Sequence, residues 1–123
     1  MDIQEQMLLM LLEENNALDK RADLDVEGGP APPALLARIQ KRFPLAETDQ
    51  DLSIDGEGSL VYAGTTDAAV TYEVDGLEWL SPWSVKIRAG YYCGMLCASH
   101  TTYTLRWTFG RWRVVSTGST VVS

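Results

Sequence analysis

The 123-residue chain contains one histidine, two cysteines and no acidic residue beyond Glu78. Each scarcity excludes something. A structural zinc takes four nitrogen or sulfur ligands, whereas the cluster Cys93, Cys97 and His100, spaced Cys-x3-Cys-x2-His, supplies three. A cysteine–histidine nucleophile needs both groups on one side of the chain. If Cys97 and His100 share a strand, their offset of three residues turns them to opposite faces. No metal site and no catalytic set is therefore expected, nor any cofactor. Long hydrophobic runs are also missing. The longest, Met7 to Leu12, spans six residues, against about 20 for a bilayer-crossing helix. It follows Asp2 and Glu5, where a secretory signal would carry Lys or Arg. These features predict a cytoplasmic protein with no membrane partner. Two cysteines say little about an oxidising compartment. A disulfide or a pair of half-buried free thiols stays open for Cys93 and Cys97.

What is present suits an ordinary fold. The chain is 46% hydrophobic and 22% charged, which excludes disorder and fibrous repeats, and its length predicts a single domain over 1–123. The net charge of −7 is divided unevenly along the chain. All 17 acidic residues lie in the first 78 positions beside five cations, while Lys86, Arg88, Arg106, Arg111 and Arg113 follow with no acid among them. An acidic total makes nucleic acid an unlikely partner, since phosphate binding rests on positive charge.

The stretch 3–20 opens without Pro or Gly and is rich in Leu, Met, Glu and Gln, which predicts an N-terminal helix. Ile3, Met7, Met10, Leu11 and Leu18 fall near one face, and Leu8, Leu9 and Leu12 widen the apolar stripe. That width predicts a second surface, for a homodimer or a protein partner. Residues 27–34, Glu-Gly-Gly-Pro-Ala-Pro-Pro-Ala, read as a linker. A second helix follows over 35–43, with Leu35, Leu36, Ile39 and Phe43 at helical spacing before Pro44. The acidic stretch from Glu47 to Ser59 reads as a surface loop. Within it Asp51-Leu52-Ser53-Ile54-Asp55-Gly56 copies half of a calcium loop, but Tyr62 stands where the bidentate Glu belongs.

From residue 60 the period becomes two, predicting an antiparallel sheet over 60–123. Asp75-Gly76 reads as a hairpin turn pairing Val74 with Leu77 and Tyr72 with Trp79, and Pro82 as a bulge or edge. A loop at Gly94-Met95-Leu96 sets Cys93 against Cys97, Ile87 against Tyr103, Val85 against Leu105 and Trp83 against Trp107. A turn at Phe109-Gly110 sets Trp107 against Trp112 and Leu105 against Val114. The large apolar side chains then share one face, and all five late cations share the other.

Helices followed by a meander predict an α+β fold, with N-terminal helices packed on a curved antiparallel sheet of four to six strands. The run Tyr91-Tyr92-Cys93-Gly94-Met95-Leu96-Cys97-Ala98, with Thr102-Tyr103-Thr104-Leu105 and Gly110-Arg111-Trp112-Arg113-Val114, resembles a set of uncharacterised small bacterial proteins over about residues 79 to 123. Cystatin-like and nuclear transport factor two-like folds are the architectures this resemblance and the element order suggest. The functional expectation is a non-enzymatic protein-interaction module, in one version an acidic inhibitor or immunity-type protein that neutralises a basic enzyme by charge complementarity. Its surface would use Leu8, Leu9 and Leu12 with Lys86, Arg88, Arg106, Arg111 and Arg113. The alternative is a small-molecule binder or simple enzyme whose pocket under the sheet is lined by Tyr72, Trp79, Trp83, Tyr103, Trp107 and Trp112.

Overall fold

The structure is a computed structural model that describes residues 3–48, 51–65 and 67–122. Helix α1 (Ile3–Glu14) forms from the expected helix formers but ends before residue 20. Asn16 adopts a left-handed conformation at φ 52° and breaks the helix, and the Asn15 side chain caps it by donating to the Leu11 carbonyl at 2.7 Å. One turn of 3-10 helix over Ala17–Asp19 follows.

The helix corrects one expectation. Leu8 and Leu12 are completely buried and Leu9 nearly so, together with Ile3, Met7 and Leu11. These leucines are core, not an exposed second surface. The reason is layering: α1 packs on the long strands described below through one face, and against helix α2 (Pro33–Gln40) through another. An ion pair from Arg38 to Glu5 joins the two helices, and one from Arg42 to Glu13 ties the turn after α2 to α1. Helix α2 starts at the expected prolines, carries Arg38 in its last turn, and buries Leu35 and Ile39.

Strand β1 (Ala22–Val26) alternates Ala, Leu and Val with Asp23 and Asp25. The tight turn Glu27-Gly28, with φ of 51° and 80°, leads to β2 (Gly29–Pro30). Residues 27–34 are thus a turn, a short strand and a helix start instead of a linker. The supposed acidic loop, Glu47 to Ser59, holds β4 (Leu52–Ile54) between β3 (Ala46–Glu47) at its start and β5 (Leu60–Tyr62) just after it. The Asp55 carboxylate accepts the backbone N–H groups of Glu57 and Ser59, each at 2.9 Å, and so shapes the β4–β5 hairpin instead of a calcium loop.

Four long strands complete the chain: β6 (Thr71–Ser81), β7 (Ser84–Gly94), β8 (Cys97–Thr108) and β9 (Arg111–Val122). The sheet runs β2-β1-β6-β7-β8-β9 with β3 also on β1, seven strands in all, while β4 and β5 form a separate pair. It is mixed, because β1 lies parallel to both β6 and β3. Within the meander, Val85 pairs with Leu105, Ile87 with Tyr103, Leu105 with Val114 and Trp107 with Trp112, as the inward side chains require.

The Asp75-Gly76 hairpin is not formed. Strand β6 continues through it, with Asp75 opposite Arg88 and Glu78 opposite Lys86, leaving Gly76 and Leu77 as a bulge. Gly76 takes φ 66°, the left-handed value that a bulge of this kind and a tight hairpin both demand. The Glu27 carboxylate from the neighbouring turn accepts the freed N–H groups of Gly76 and Leu77 at 3.2 and 3.3 Å. The chain turns instead at Pro82-Trp83, between Ser81 and Ser84. The architecture is α+β, two helices against a largely antiparallel sheet, with one core joining α1, α2 and β1 to the inner faces of β6–β9.

Candidate functional site

The Pro82-Trp83 and Phe109-Gly110 turns lie side by side at one end of the sheet, where the Trp107 N–H donates to the Trp83 carbonyl at 2.8 Å. Phe109 and Gly110 both take positive φ, 52° and 80°, in the geometry that closes a two-residue hairpin. Trp112 is the anchor of this end. It is 9% exposed, and the rings of Trp79 and Trp107 each stand 5.6 Å from its ring in edge-to-face contact. Gln6 of α1 donates to its carbonyl at 2.7 Å. Around that anchor the aromatics are open to solvent: Trp79 is 58%, Trp83 63%, Trp107 39% and Phe109 92% exposed. Helix α1 packs on β6 and β7 and leaves them uncovered.

The cations occupy the other face, as the register places Lys86 beside Thr104, Arg88 beside Thr102 and Arg106 beside Arg113. Acidic residues of β6 balance part of this row. Arg88 grips Asp75 through two hydrogen bonds of 2.8 and 2.7 Å, which hold the Asp75 carboxyl below its ordinary pKa. Lys86 stands opposite Glu78, and His100 meets Glu73 at 2.9 Å. Toward the turns, Arg106, Arg111 and Arg113 have no carboxylate partner among the described residues. Arg113 instead donates to the Thr108 carbonyl at 3.3 Å and lies 6.0 Å from the Phe109 ring. With Gln6 and Trp112, Arg111 and Arg113 line a hollow of about 350 Å³.

The six aromatics expected to line a pocket do not enclose one space. Tyr72 is buried in the core beside Tyr91, where burial pushes its pKa up, and Tyr103 is half-buried. Trp79, Trp83 and Trp107 face solvent. Trp83 falls at a hairpin tip because the chain turns there instead of at Asp75-Gly76.

At the opposite end, Cys93 and Cys97 are joined by a disulfide with a Cα–Cα distance of 5.1 Å. The hairpin loop there is the pair Met95-Leu96, since Gly94 pairs with Cys97 and Cys93 is bulged out. Joined to each other, the sulfurs are not free thiolates for a metal. His100 lies on the outer face against Glu73, and its Cα and ring stand over Gly90. Sequence reasoning missed Phe109 as a surface group, although a bulky residue at a left-handed turn position has nowhere to pack. It also missed Arg21, Glu47 and Tyr62, which meet near the disulfide end: Arg21 Nε donates to Glu47 Oε1 at 3.0 Å, and the guanidinium sits 3.6 Å above the Tyr62 ring. Their distance in sequence left no signal.

No protein-family model, curated protein or solved structure matches the chain.

Proposed function

We propose that the protein is a non-enzymatic interaction module that binds a protein partner through the end of the sheet formed by the Pro82-Trp83 and Phe109-Gly110 turns. One observation carries this reading: one end of the sheet presents three exposed tryptophans on its inner face and Phe109 at its turn, and on its outer face three arginines that no carboxylate of the described chain neutralises. Tryptophan and arginine are the residues that dominate binding energy at protein interfaces, because each offers a large area at modest entropic cost together with a polar handle. Monomeric proteins seldom leave such groups clustered in water.

The charge of this end selects the partner. Arg106, Arg111 and Arg113 favour a surface rich in Asp and Glu, despite the net charge of −7 of the whole chain. An inhibitor or immunity-type role against a basic enzyme would have to use other faces. A small-molecule pocket under the sheet has less support, since leucines of α1 fill that face of β6 and β7. Two helices packed on a sheet that ends in four long antiparallel strands support a nuclear transport factor two-like arrangement more than a cystatin-like one. The disulfide favours an oxidising compartment over the cytoplasm.

The test compares the protein with Arg106→Glu/Arg113→Glu and with Trp83→Ser in capture from the source organism, followed by titration of the captured partner. Trp83 and Arg106 are exposed and Arg113 is half-buried on the outer face, and none of the three belongs to the core. Expected is a partner whose affinity drops at least about tenfold in either variant and falls with added salt for the unaltered protein. Unchanged affinity in both variants places the site elsewhere.

A further inference from the structure

Strand β9 is the last strand on its side of the sheet, and among the described residues nothing pairs with its outer edge. Its stretch 114–122, Val-Val-Ser-Thr-Gly-Ser-Thr-Val-Val, is exposed throughout and holds neither charge nor proline. Folded proteins blunt such edges with charges, prolines or very short strands, because a row of unpaired N–H and C=O groups recruits another strand. The opposite side of the sheet follows that rule, closed by the two-residue strands β2 and β3 and by Pro30. Only the β9 side is left open.

The register shows which groups the edge presents. The Trp107 N–H donates to Trp83, so Trp107, Leu105, Tyr103, Thr101 and Ser99 direct their backbone groups to β7, and the residues between them direct theirs to β9. Their opposites on β9, Trp112, Val114, Thr117, Thr120 and Val122, therefore turn N–H and C=O outward. The Trp112 carbonyl does so, and Gln6 takes it. The other four remain for a partner. Bulges often spoil an edge, but the two in β9, at Val115 and at Gly118-Ser119, keep these four level with every second residue of β8 and so evenly spaced.

We infer that this edge pairs with the same edge of a second copy of the chain, antiparallel about a two-fold axis between Thr117 and Thr120. The stretch reads alike in both directions: Val-Val, two hydroxyl residues, Gly, two hydroxyl residues, Val-Val. A two-fold interface needs that self-complementarity, since residue i meets j and j meets i. Val114 then meets Val122 of the second copy and Thr117 meets Thr120, aliphatic on aliphatic and hydroxyl on hydroxyl. Four such pairs exchange about eight hydrogen bonds, within the usual number for a stable interface. Charge agrees, because the paired stretch is neutral and the two-fold sets Arg111 and Arg113 of the two copies at opposite ends of it. The assembly closes as a dimer, for the far side of each sheet is blunted. Both aromatic ends stay free, so the inference does not rest on the function proposed for them.

The experiment is sedimentation equilibrium of the intact protein from about 1 to 200 µM. A monomer–dimer equilibrium is expected with a dissociation constant of about 10 µM or tighter. Thr117→Pro removes an outward N–H that β8 does not use, and should weaken the dimer at least about tenfold with the circular dichroism spectrum retained. Val114→Lys/Val122→Lys sets like charges across the axis and should give a monomer, whereas Val114→Lys/Val122→Glu sets opposite charges there and should restore the dimer. A monomer at every concentration would leave the edge to a strand of another protein and overturn the inference. A dimer unaffected by Thr117→Pro, or equal behaviour of the two charged variants, would overturn it as well.

Discussion

Gly90 shows how much one missing side chain can decide. It lies between Glu73 of β6 and His100 of β8, and a Cβ built there would stand 2.0 Å from the Ser99 carbonyl oxygen and 2.7 Å from the His100 Cα. Both are backbone atoms of a paired strand, so neither can move without breaking the β7–β8 ladder. Gly90→Ala should therefore destabilise the fold by about 3 kcal/mol, read as a lower midpoint in urea with an unchanged slope. A midpoint within error of the unaltered protein would mean that β7 and β8 are further apart than described. Nothing in the sequence marks Gly90 among ten glycines, because the requirement comes from a residue ten positions away. Gly76 is the converse. Its need for positive φ was legible, but the same dihedral serves a hairpin and a bulge, and the choice between them rests on the Glu27 carboxylate of a distant turn.

Elements were legible where several side chains over-determine the register. In β7, β8 and β9 a one-residue slip would turn Val85, Ile87, Leu105 and Trp112 to the solvent together, and the observed pairs follow the inward pattern. Strand β1 carried the same signal, Ala, Leu and Val alternating with aspartates, but it is only five residues long and leads straight into Gly28 and Gly29. Helix α1 was legible as a helix and misread in its surroundings. Apolar residues around most of its circumference suggest an external partner, whereas the second layer comes from α2 of the same chain. This reverses the expected behaviour of Leu8→Glu. With Leu8 wholly buried, a carboxylate there should cost about 4 kcal/mol or more and unfold the domain. Circular dichroism would show lost helix and sheet signal, and a folded variant with altered hydrodynamic size would restore the external-surface reading.

At the scale of the whole molecule, the two ends of the sheet differ in kind. One end is closed by the Cys93–Cys97 disulfide and holds the cluster of Arg21, Glu47 and Tyr62. The other is an open aromatic surface in the field of unpaired arginines, and the proposed function rests on it. The division of charge along the sequence, acids before Glu78 and only cations after it, foreshadowed this polarity without showing that β6 would neutralise Arg88 and leave the turn end positive. The most direct measurement is quenching of tryptophan fluorescence by iodide and by caesium at matched ionic strength. Three of the four tryptophans are exposed at the end of the sheet that carries Arg106, Arg111 and Arg113, whose field extends about 10 Å at roughly 0.1 M salt. Iodide should therefore quench most of the emission and caesium much less, and Arg106→Glu/Arg113→Glu should narrow the difference. Emission shielded from both ions, or quenched equally by them, would contradict an open, positively charged aromatic surface.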